Sequence, residues 1–367
     1  MKKTLAAVAI LGAFAGSALA DVTLYGIVDE GLAFTHSENV KGEKADTWGL
    51  ESGIGAASRI GLKGAEKLSE DVTVGFQLEK GINVDTGDEA SKDKFFNRGA
   101  YMYVKSSYGQ LTAGYQGLIN SGNGPHGMLG GGTTGLGGGW MDVGSIGSSF
   151  LGRQGARAEN AITYASPVFA GAQVLTQVAL GSKDEATHHA DRVYNVAVKY
   201  GVGALNTGVI FTVDDEGHSK DAPKKGKDAK IVSAYANYDF DVVKVYVAGQ
   251  YFKDFNKEMI KQGDQPVGAT EEYSGSKDYK GYGMSLAAAA PIMGGTLTAG
   301  VHFGEAEQVK ASAYKRETIG GAAYYEYPLS KMTAVYGLAG YEKAEYKDTK
   351  DLETSKFQAA IGMTHKF

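Results

Sequence analysis

The sequence predicts an all-β fold, namely a transmembrane, sixteen-stranded, antiparallel up-and-down β-barrel with a long third loop folded into the lumen. Three observations lead to this prediction. Segments of about ten residues alternate apolar with polar side chains, as the strands of membrane barrels do. The connections between these segments are short and long in turn. After residue 20, no apolar run is long enough for a membrane-spanning helix.

The first element is a leader rather than part of the barrel. Residues 1–20, MKKTLAAVAILGAFAGSALA, begin with two lysines, continue as an apolar run and end in Ala18-Leu19-Ala20. This pattern is typical of a secretory signal peptide cleaved before Asp21. A membrane anchor would need a longer apolar span. We therefore expect one barrel domain over residues 21–367.

Composition narrows the class of protein further. The 367-residue chain has a formal net charge of −5, so it lacks the basic excess typical of nucleic-acid binding. It has no cysteine, which excludes disulfides and a lipid-modified cysteine after the leader. Its 53 glycines and 22 tyrosines, against 6 prolines, favour strands and tight turns over long helices.

Period-two alternation assigns the strands in chain order. The sixteen predicted strands cover residues 22–34, 57–66, 71–83, 94–105, 109–117, 158–166, 171–181, 191–200, 204–213, 230–239, 242–253, 279–290, 295–304, 313–326, 332–343 and 354–367. Seven tight turns alternate with eight long loops, the first of which is HSENVKGEKADTWG, residues 36–49. Such alternation indicates a barrel with one rim toward a confined compartment and the other facing outward.

Each predicted strand has one apolar and one polar face. In SRIGLKG, Ile60 and Leu62 lie on one face, and Arg59 and Lys63 lie on the other. A soluble sheet with a dry core also alternates in this way. However, the apolar faces contain many alanines and glycines, which are poor material for an interdigitated core but are accepted by lipid. We therefore expect the apolar faces to point outward and the polar faces to line a lumen.

The third long loop differs from the others. Between Gly117 and Arg157 the chain is mostly glycine, serine and small apolar residues, with Asp142 and Arg153 among its few charges. A loop of this length in a compact domain is usually functional or disordered. Because its apolar residues are poorly suited to standing in water, we expect it to fold back into the lumen.

Three arginines are candidates for the narrowest part of that lumen. Arg59 and Arg98 fall on the inward face by alternation, and so does Arg157 if it opens the sixth strand. Guanidinium groups around a narrow aqueous passage set a positive local potential and favour anions. Lys63 lies on the same inward face of its strand as Arg59.

Several stretches together resemble the general-diffusion porins of the neisserial and betaproteobacterial type. They are DVTLYGIVDEGL, SRIGLKGAEKL, VTVGFQLEKG, FFNRGAYMYVKSSYGQLTAGYQ, RAENAITYASP and the final phenylalanine. The resemblance implies a homotrimer of sixteen-stranded outer-membrane barrels, each narrowed at mid-height by its third loop. It also implies that the arginines matching Arg59, Arg98 and Arg157 line the constriction, and that Phe367 resembles the terminal aromatic read by the barrel-assembly machinery.

The third loop departs from the family pattern because it is rich in glycine and nearly devoid of acids. Asp142 and Glu159 are the nearby candidates for the acidic side of the constriction, and Arg153 and Lys63 add to its basic side. The alternative to a general channel is therefore a substrate-selective porin with a solute site at the third loop.

The expected function is a passive, water-filled channel for small hydrophilic solutes and ions that prefers anions. The expected place is the outer membrane of a Gram-negative bacterium, among lipid and lipopolysaccharide, with both termini periplasmic. No catalytic, cofactor or metal motif is found, so no enzyme activity or cofactor is expected. An outer-membrane enzyme and a plugged adhesin-like barrel are rival classes that a conductance measurement would separate.

Overall fold

The computed structural model describes residues 22–130, 157–181, 188–189, 192–215, 218–219, 227–255, 279–309, 315–347 and 352–367. Within these ranges, the regular secondary structure is β-strand alone. Among the same residues, no helix is long and apolar enough to cross a membrane.

The described residues form nineteen strands, of which seventeen belong to one sheet. They are β1 Thr23–Glu38, β2 Lys44–Ser52, β3 Arg59–Lys67, β4 Thr73–Gly81, β5 Gly99–Ser106, β6 Gly109–Gly117, β7 Arg157–Ala165, β8 Ala172–Ala179, β9 His188–His189, β10 Arg192–Val202, β11 Leu205–Asp215, β12 His218–Ser219, β13 Ala229–Asp239, β14 Lys244–Phe255, β15 Tyr279–Ile292, β16 Gly295–Gln308, β17 Lys315–Pro328, β18 Thr333–Lys347 and β19 Leu352–Lys366. The two short strands β9 and β12 pair with each other.

The large sheet closes on itself through its first and last strands. β1 pairs antiparallel with β19, from Ile27 opposite Lys366 to Glu38 opposite Ser355. The other edge of β1 is shared: its outer part pairs with β2 and its first residues pair with β3. β2 and β3 therefore occupy one position in the wall, and the seventeen strands make a closed sixteen-position antiparallel barrel. This confirms the predicted sixteen-stranded antiparallel barrel.

The seven predicted short turns all appear in the structure. Seven short turns lie at one end of the barrel, at residues 68–72, 107–108, 166–171, 203–204, 240–243, 293–294 and 329–332. The opposite end is called the loop end below, and the connections there that the structure describes in full are residues 39–43 and 82–98. The end with the seven turns is called the turn end.

The first predicted long loop is wrong. Most of residues 36–49 are strand, because β1 continues to Glu38 and β2 begins at Lys44, which leaves a connection of residues 39–43. On this stretch the charged side chains hide the period-two pattern: His36 lies opposite Asp46 and Glu38 opposite Lys44. The prediction also began the strand at residues 94–105 too early, since residues 94–98 precede β5.

The two faces of the wall differ as a membrane barrel requires. On β10, Val196 and Val198 are about half exposed, at 52% and 46%, whereas Asn195 and Ala197 beside them are buried. Cross-strand partners share a face, so the exposed apolar residues form the outer surface of the closed sheet. Polar side chains on the other face, such as Asn195, point into the lumen, and charged residues appear on the outer face near the ends of the strands, as Lys343 does.

The barrel seam depends on a glycine that faces the last residue. Gly26 and Phe367 exchange two backbone hydrogen bonds, with N···O distances of 3.0 and 3.1 Å. A Cβ on Gly26 would lie 2.2 Å from Phe367 Cζ and 2.7 Å from the Arg59 carbonyl oxygen. The Phe367 ring would have to move aside, and the approach to the Arg59 backbone oxygen requires a shift of the wall itself.

Gly26→Val should therefore lower the yield of closed barrel on refolding into lipid vesicles. The yield is measured as the heat-modifiable fraction on an SDS gel. Gly49→Val is the matched control, because a Cβ on Gly49 meets nothing within 4 Å. Equal yields for the two variants would contradict this account of the seam.

Candidate functional site

One carboxylate, that of Glu79, is the common partner of several side chains in the lumen. Glu79 on β4 is 8% exposed, and its Oε1 accepts a hydrogen bond of 2.8 Å from Arg98 Nε. Its Oε2 accepts a hydrogen bond of 2.8 Å from the Tyr25 hydroxyl and lies 3.8 Å from Arg59 Nε. Two arginines and one tyrosine thus share one carboxylate.

The strand register explains this meeting. Gly61 of β3 lies opposite both Tyr25 of β1 and Glu79 of β4, and Gly99 of β5 lies opposite Glu79. Arg59 is two residues before Gly61, on the face opposite the 40% exposed Ile60. The inward position predicted for Arg59 is therefore what the register gives. Two guanidinium groups against one carboxylate leave a net positive charge here.

Arg157 joins the same region through its hydrogen bonds. Its Nε donates to the Arg98 carbonyl oxygen at 2.6 Å, and its Nη2 donates to Asn123 Oδ1 at 2.9 Å. Arg157 is the first residue of β7, and Asn123 belongs to the beginning of the third loop. Its guanidinium therefore ties that loop to the residue that contacts Glu79.

The remaining predicted site residues have separate places. The Lys63 ammonium lies 5.1 Å from the centroid of the Tyr25 ring. Glu159 pairs with Lys94 at 2.7 Å, and this hydrogen bond raises the pKa of Lys94. Asp142 and Arg153 lie outside the described residues.

Glu79 is the functional residue that sequence reasoning missed. Alternation puts Glu79 on the polar face of VTVGFQLEKG, but nothing in the local pattern marks it as the partner of the arginines. The available signal was its strand position: β3 and β4 are joined by a short turn, so Glu79 and Arg59 had to lie near each other on one face. Glu79 is therefore an acid beside the arginines that stands in addition to the expected Asp142 and Glu159.

The beginning of the third loop lies inside the barrel. Ile119, Met128 and Leu129 are buried against inward-facing residues of the wall, which include Leu175 and Ile210. The chain doubles back on itself there, since Met128 N–H donates to the Ile119 carbonyl oxygen at 2.9 Å. Residues 118–130 therefore follow the predicted inward path, and the rest of the loop, residues 131–156, lies outside the described residues.

Gln177 of β8 fixes this segment to the wall. Its Oε1 accepts from Ile119 N–H at 3.0 Å and from Asn195 Nδ2 at 3.0 Å. Its Nε2 donates to the Gly117 carbonyl oxygen at 3.0 Å and to Thr163 Oγ1 at 2.8 Å. All four contacts are buried, so this amide satisfies groups that water does not reach.

Comparison with known proteins agrees with this architecture. Residues 5–349 match the family model described as Gram-negative porin. The chain belongs to the Gram-negative porin family.

Relatives of this porin share its full length. It is 29% identical to an outer membrane porin protein of Bordetella pertussis, with 100% of both chains covered. It is 26% identical to the major outer membrane protein P.IB of Neisseria meningitidis serogroup B, again with 100% of both covered. Among solved structures, the anion-selective porin from Comamonas acidovorans matches with a TM-score of 0.71 and 23% identity, covering 95% of this chain and 100% of that chain. This porin is therefore a multi-pass protein of a Gram-negative outer membrane and forms a diffusion channel.

Replacing Gln177 by leucine should loosen the base of the third loop. The change leaves the Ile119 N–H, the Gly117 carbonyl and the Asn195 amide without this partner, at about 1–3 kcal/mol for each buried group left unsatisfied. We expect a lower free energy of unfolding in urea and more frequent brief closures in single-channel recordings.

The control is Gln173→Leu on the same strand. Gln173 donates to the Ser166 carbonyl oxygen at 2.6 Å, at the turn end and away from the loop. If both variants close as rarely as the wild type, Gln177 does not hold the loop.

Proposed function

We propose that this porin is a passive, water-filled channel for small hydrophilic solutes that prefers anions. The observation that carries the anion preference is the set of Arg59 and Arg98 around the single carboxylate of Glu79. The solved porin from Comamonas acidovorans, which has the same fold, is described as anion-selective. No bond is made or broken in this function.

The arginines act through their field rather than by binding tightly. A guanidinium stays charged in any environment, and it is more weakly hydrated than an ammonium group. Inside a narrow passage with low-dielectric walls, its field raises the local anion concentration. The hydrogen bonds that Arg98 and Tyr25 donate to Glu79 fix where that field originates.

The full proposed constriction combines wall and loop residues. On the basic side it contains Arg59, Arg98, Arg157, Arg153 and Lys63, and on the acidic side it contains Asp142 and Glu159, to which we add Glu79. The described contacts support the grouping of the three wall arginines with Glu79: Arg98 donates a hydrogen bond to Glu79, Arg157 donates one to the Arg98 carbonyl oxygen, and Arg59 forms an ion pair with Glu79.

The assembly is proposed to be a homotrimer with three independent pores, surrounded by lipid and lipopolysaccharide. Residues 1–20 are proposed to be the cleaved signal peptide and residues 21–367 the barrel domain. The turn end would face the periplasm, together with both termini. Phe367 is proposed as the signal read by the barrel-assembly machinery.

Reconstitution into a planar bilayer tests this function. We expect conductance steps that occur in threes, and a zero-current potential of anion sign in a KCl gradient. The variant Arg59→Gln with Arg98→Gln should lose most of that potential, because it removes both guanidinium charges beside Glu79. A current blocked by one solute at low concentration would instead support the substrate-selective alternative.

The matched control removes a positive charge from the outside. Lys343 lies opposite Ile319, which is 60% exposed, so Lys343 shares the outer face, where it pairs with Glu345 and Glu353. Lys343→Gln should leave the zero-current potential unchanged. An arginine double variant that behaves like this control would sink the proposed selectivity.

A further inference from the structure

A short segment of the wall leaves the sheet and enters the lumen. β2 ends at Ser52 and β3 begins at Arg59, although both pair with the same strand, β1. The intervening residues 53–58 are called the inward step. Its Ile54 is 2% exposed and packs with inward-facing residues of β1, β18 and β19, namely Ala33, Tyr336, Leu338 and Ala360.

Asp29 of β1 holds the inward step in place. Its side chain is fully buried, and its carboxylate accepts hydrogen bonds from Gly55 N–H and Ala56 N–H, both at 3.0 Å. The Tyr336 hydroxyl donates to Oδ1 at 2.9 Å, and the Thr364 hydroxyl donates to Oδ2. Within the described part of the chain, these four neutral donors satisfy the buried carboxylate.

The backbone of Asp29 is tied to the end of the same step. Its N–H donates to Ser58 Oγ at 3.0 Å, and Ser58 Oγ donates to its carbonyl oxygen at 2.9 Å. The Asp29 carbonyl oxygen also accepts a hydrogen bond of 2.9 Å from Gly53 N–H. Asp29 therefore holds the step at its beginning and end through its backbone, and in its middle through its carboxylate.

The inward step is packed too closely for a side chain at Gly55. A Cβ on Gly55 would lie 2.8 Å from Asp29 Oδ2 and 2.8 Å from Tyr336 Cε1. Gly53, which opens the step, has a φ of +80°, a conformation that side-chain-bearing residues rarely adopt. The step is thus a single packed arrangement of backbone, carboxylate and tyrosine ring.

The step ends against the proposed constriction. The Ala57 carbonyl oxygen accepts a hydrogen bond of 3.1 Å from Arg59 Nη1, while Arg59 Nε lies 3.8 Å from Glu79 Oε2. The guanidinium is therefore held between the step on one side and the carboxylate on the other. The position of Ala57 depends in turn on Ala56 and Ser58, which Asp29 contacts.

We propose that Asp29 is a positioning residue for anion selectivity: it fixes the inward step, and the step orients the Arg59 guanidinium in the pore. The proposal rests on the anion preference proposed above. It assigns to an acidic residue a role that supports the passage of anions. Asp29 does this through the backbone of residues 55–58 and not through its own field.

The sign of one measurement separates positioning from simple electrostatics. Removing a negative charge from the lumen wall should, by charge alone, strengthen anion preference. Asp29→Ala should instead weaken it to the level of Arg59→Gln, because the guanidinium loses its fixed place. The anion preference of the double variant Asp29→Ala with Arg59→Gln should be no weaker than that of Arg59→Gln alone. The readout is the zero-current potential of the reconstituted full-length pore in a KCl gradient.

A second acid provides the matched control. Glu342 is an inward-facing residue of β18 whose carboxylate lies 3.1 Å from His302 Nε2. Glu342→Gln removes the same charge from the wall without touching the step, so it should leave anion preference equal or stronger. If Asp29→Ala moves the potential in the same direction as Glu342→Gln, the positioning role is refuted.

A variant that changes no charge covers the case in which Asp29→Ala does not fold. Gly55→Ala drives a methyl group against Asp29 and Tyr336 and should weaken anion preference, whereas Gly49→Ala, with open space around its Cβ, should not. A wild-type potential for Gly55→Ala, in a barrel shown to be folded by heat-modifiability, would overturn the proposal. If Arg59→Gln itself has no effect, the proposed anion function fails, and this outcome is distinct from a failure of Asp29 alone.

Discussion

Closure of the sheet is the constraint on which the rest of this porin depends. A strand within hydrocarbon has no water for its backbone N–H and C=O groups, so each must find a partner in the wall. β1 carries the greatest demand, because it pairs with β19 along one edge and with both β2 and β3 along the other. Once the ring is closed, period-two alternation decides for every residue whether it meets lipid or the lumen.

The lumen then imposes a second requirement, that buried polar groups be satisfied. Glu79, Asp29 and Gln177 are each nearly inaccessible to solvent, and each has several hydrogen-bond donors or acceptors. The three side chains differ in the chemistry of their hydrogen-bond partners. Cationic donors surround Glu79 and leave a net positive field, neutral donors surround Asp29 and fix backbone, and an uncharged network surrounds Gln177 and fixes the loop. One wall therefore supports three roles through the chemistry of the partners.

Much of this could be predicted from the sequence, since lipid outside and water inside enforce a strong alternation. The sixteen wall positions, the alternation of connections and the inward side of Arg59 all follow from it. Strand β2 could not be predicted in this way. Its outer face carries Lys44 and Asp46 where apolar residues would be expected, because this part of the strand extends beyond the hydrocarbon. The grouping of Arg98 with Glu79 depends on where the connection of residues 82–98 returns to the sheet, which local pattern does not specify.

The inward step is the clearest case of information that lies beyond local pattern. Residues 53–58 read as a plain glycine-containing linker, and Asp29 reads as one polar residue on an alternating strand. Their relation appears only when the register places Asp29 beside the gap between β2 and β3. A carboxylate buried this deeply is tolerated because four donors satisfy it, and the same hydrogen bonds fix the backbone of the step.

In the proposed function, fixed guanidinium groups make the lumen attractive to anions. The most direct test is the zero-current potential of the wild-type pore, measured at a constant KCl ratio while the absolute concentration is raised from about 0.01 M to about 1 M, over which the screening length falls from roughly 30 Å to 3 Å. We expect an anion-sign potential that is largest in dilute salt and declines as screening increases. A potential of cation sign, or one near zero at the lowest concentration, would contradict it.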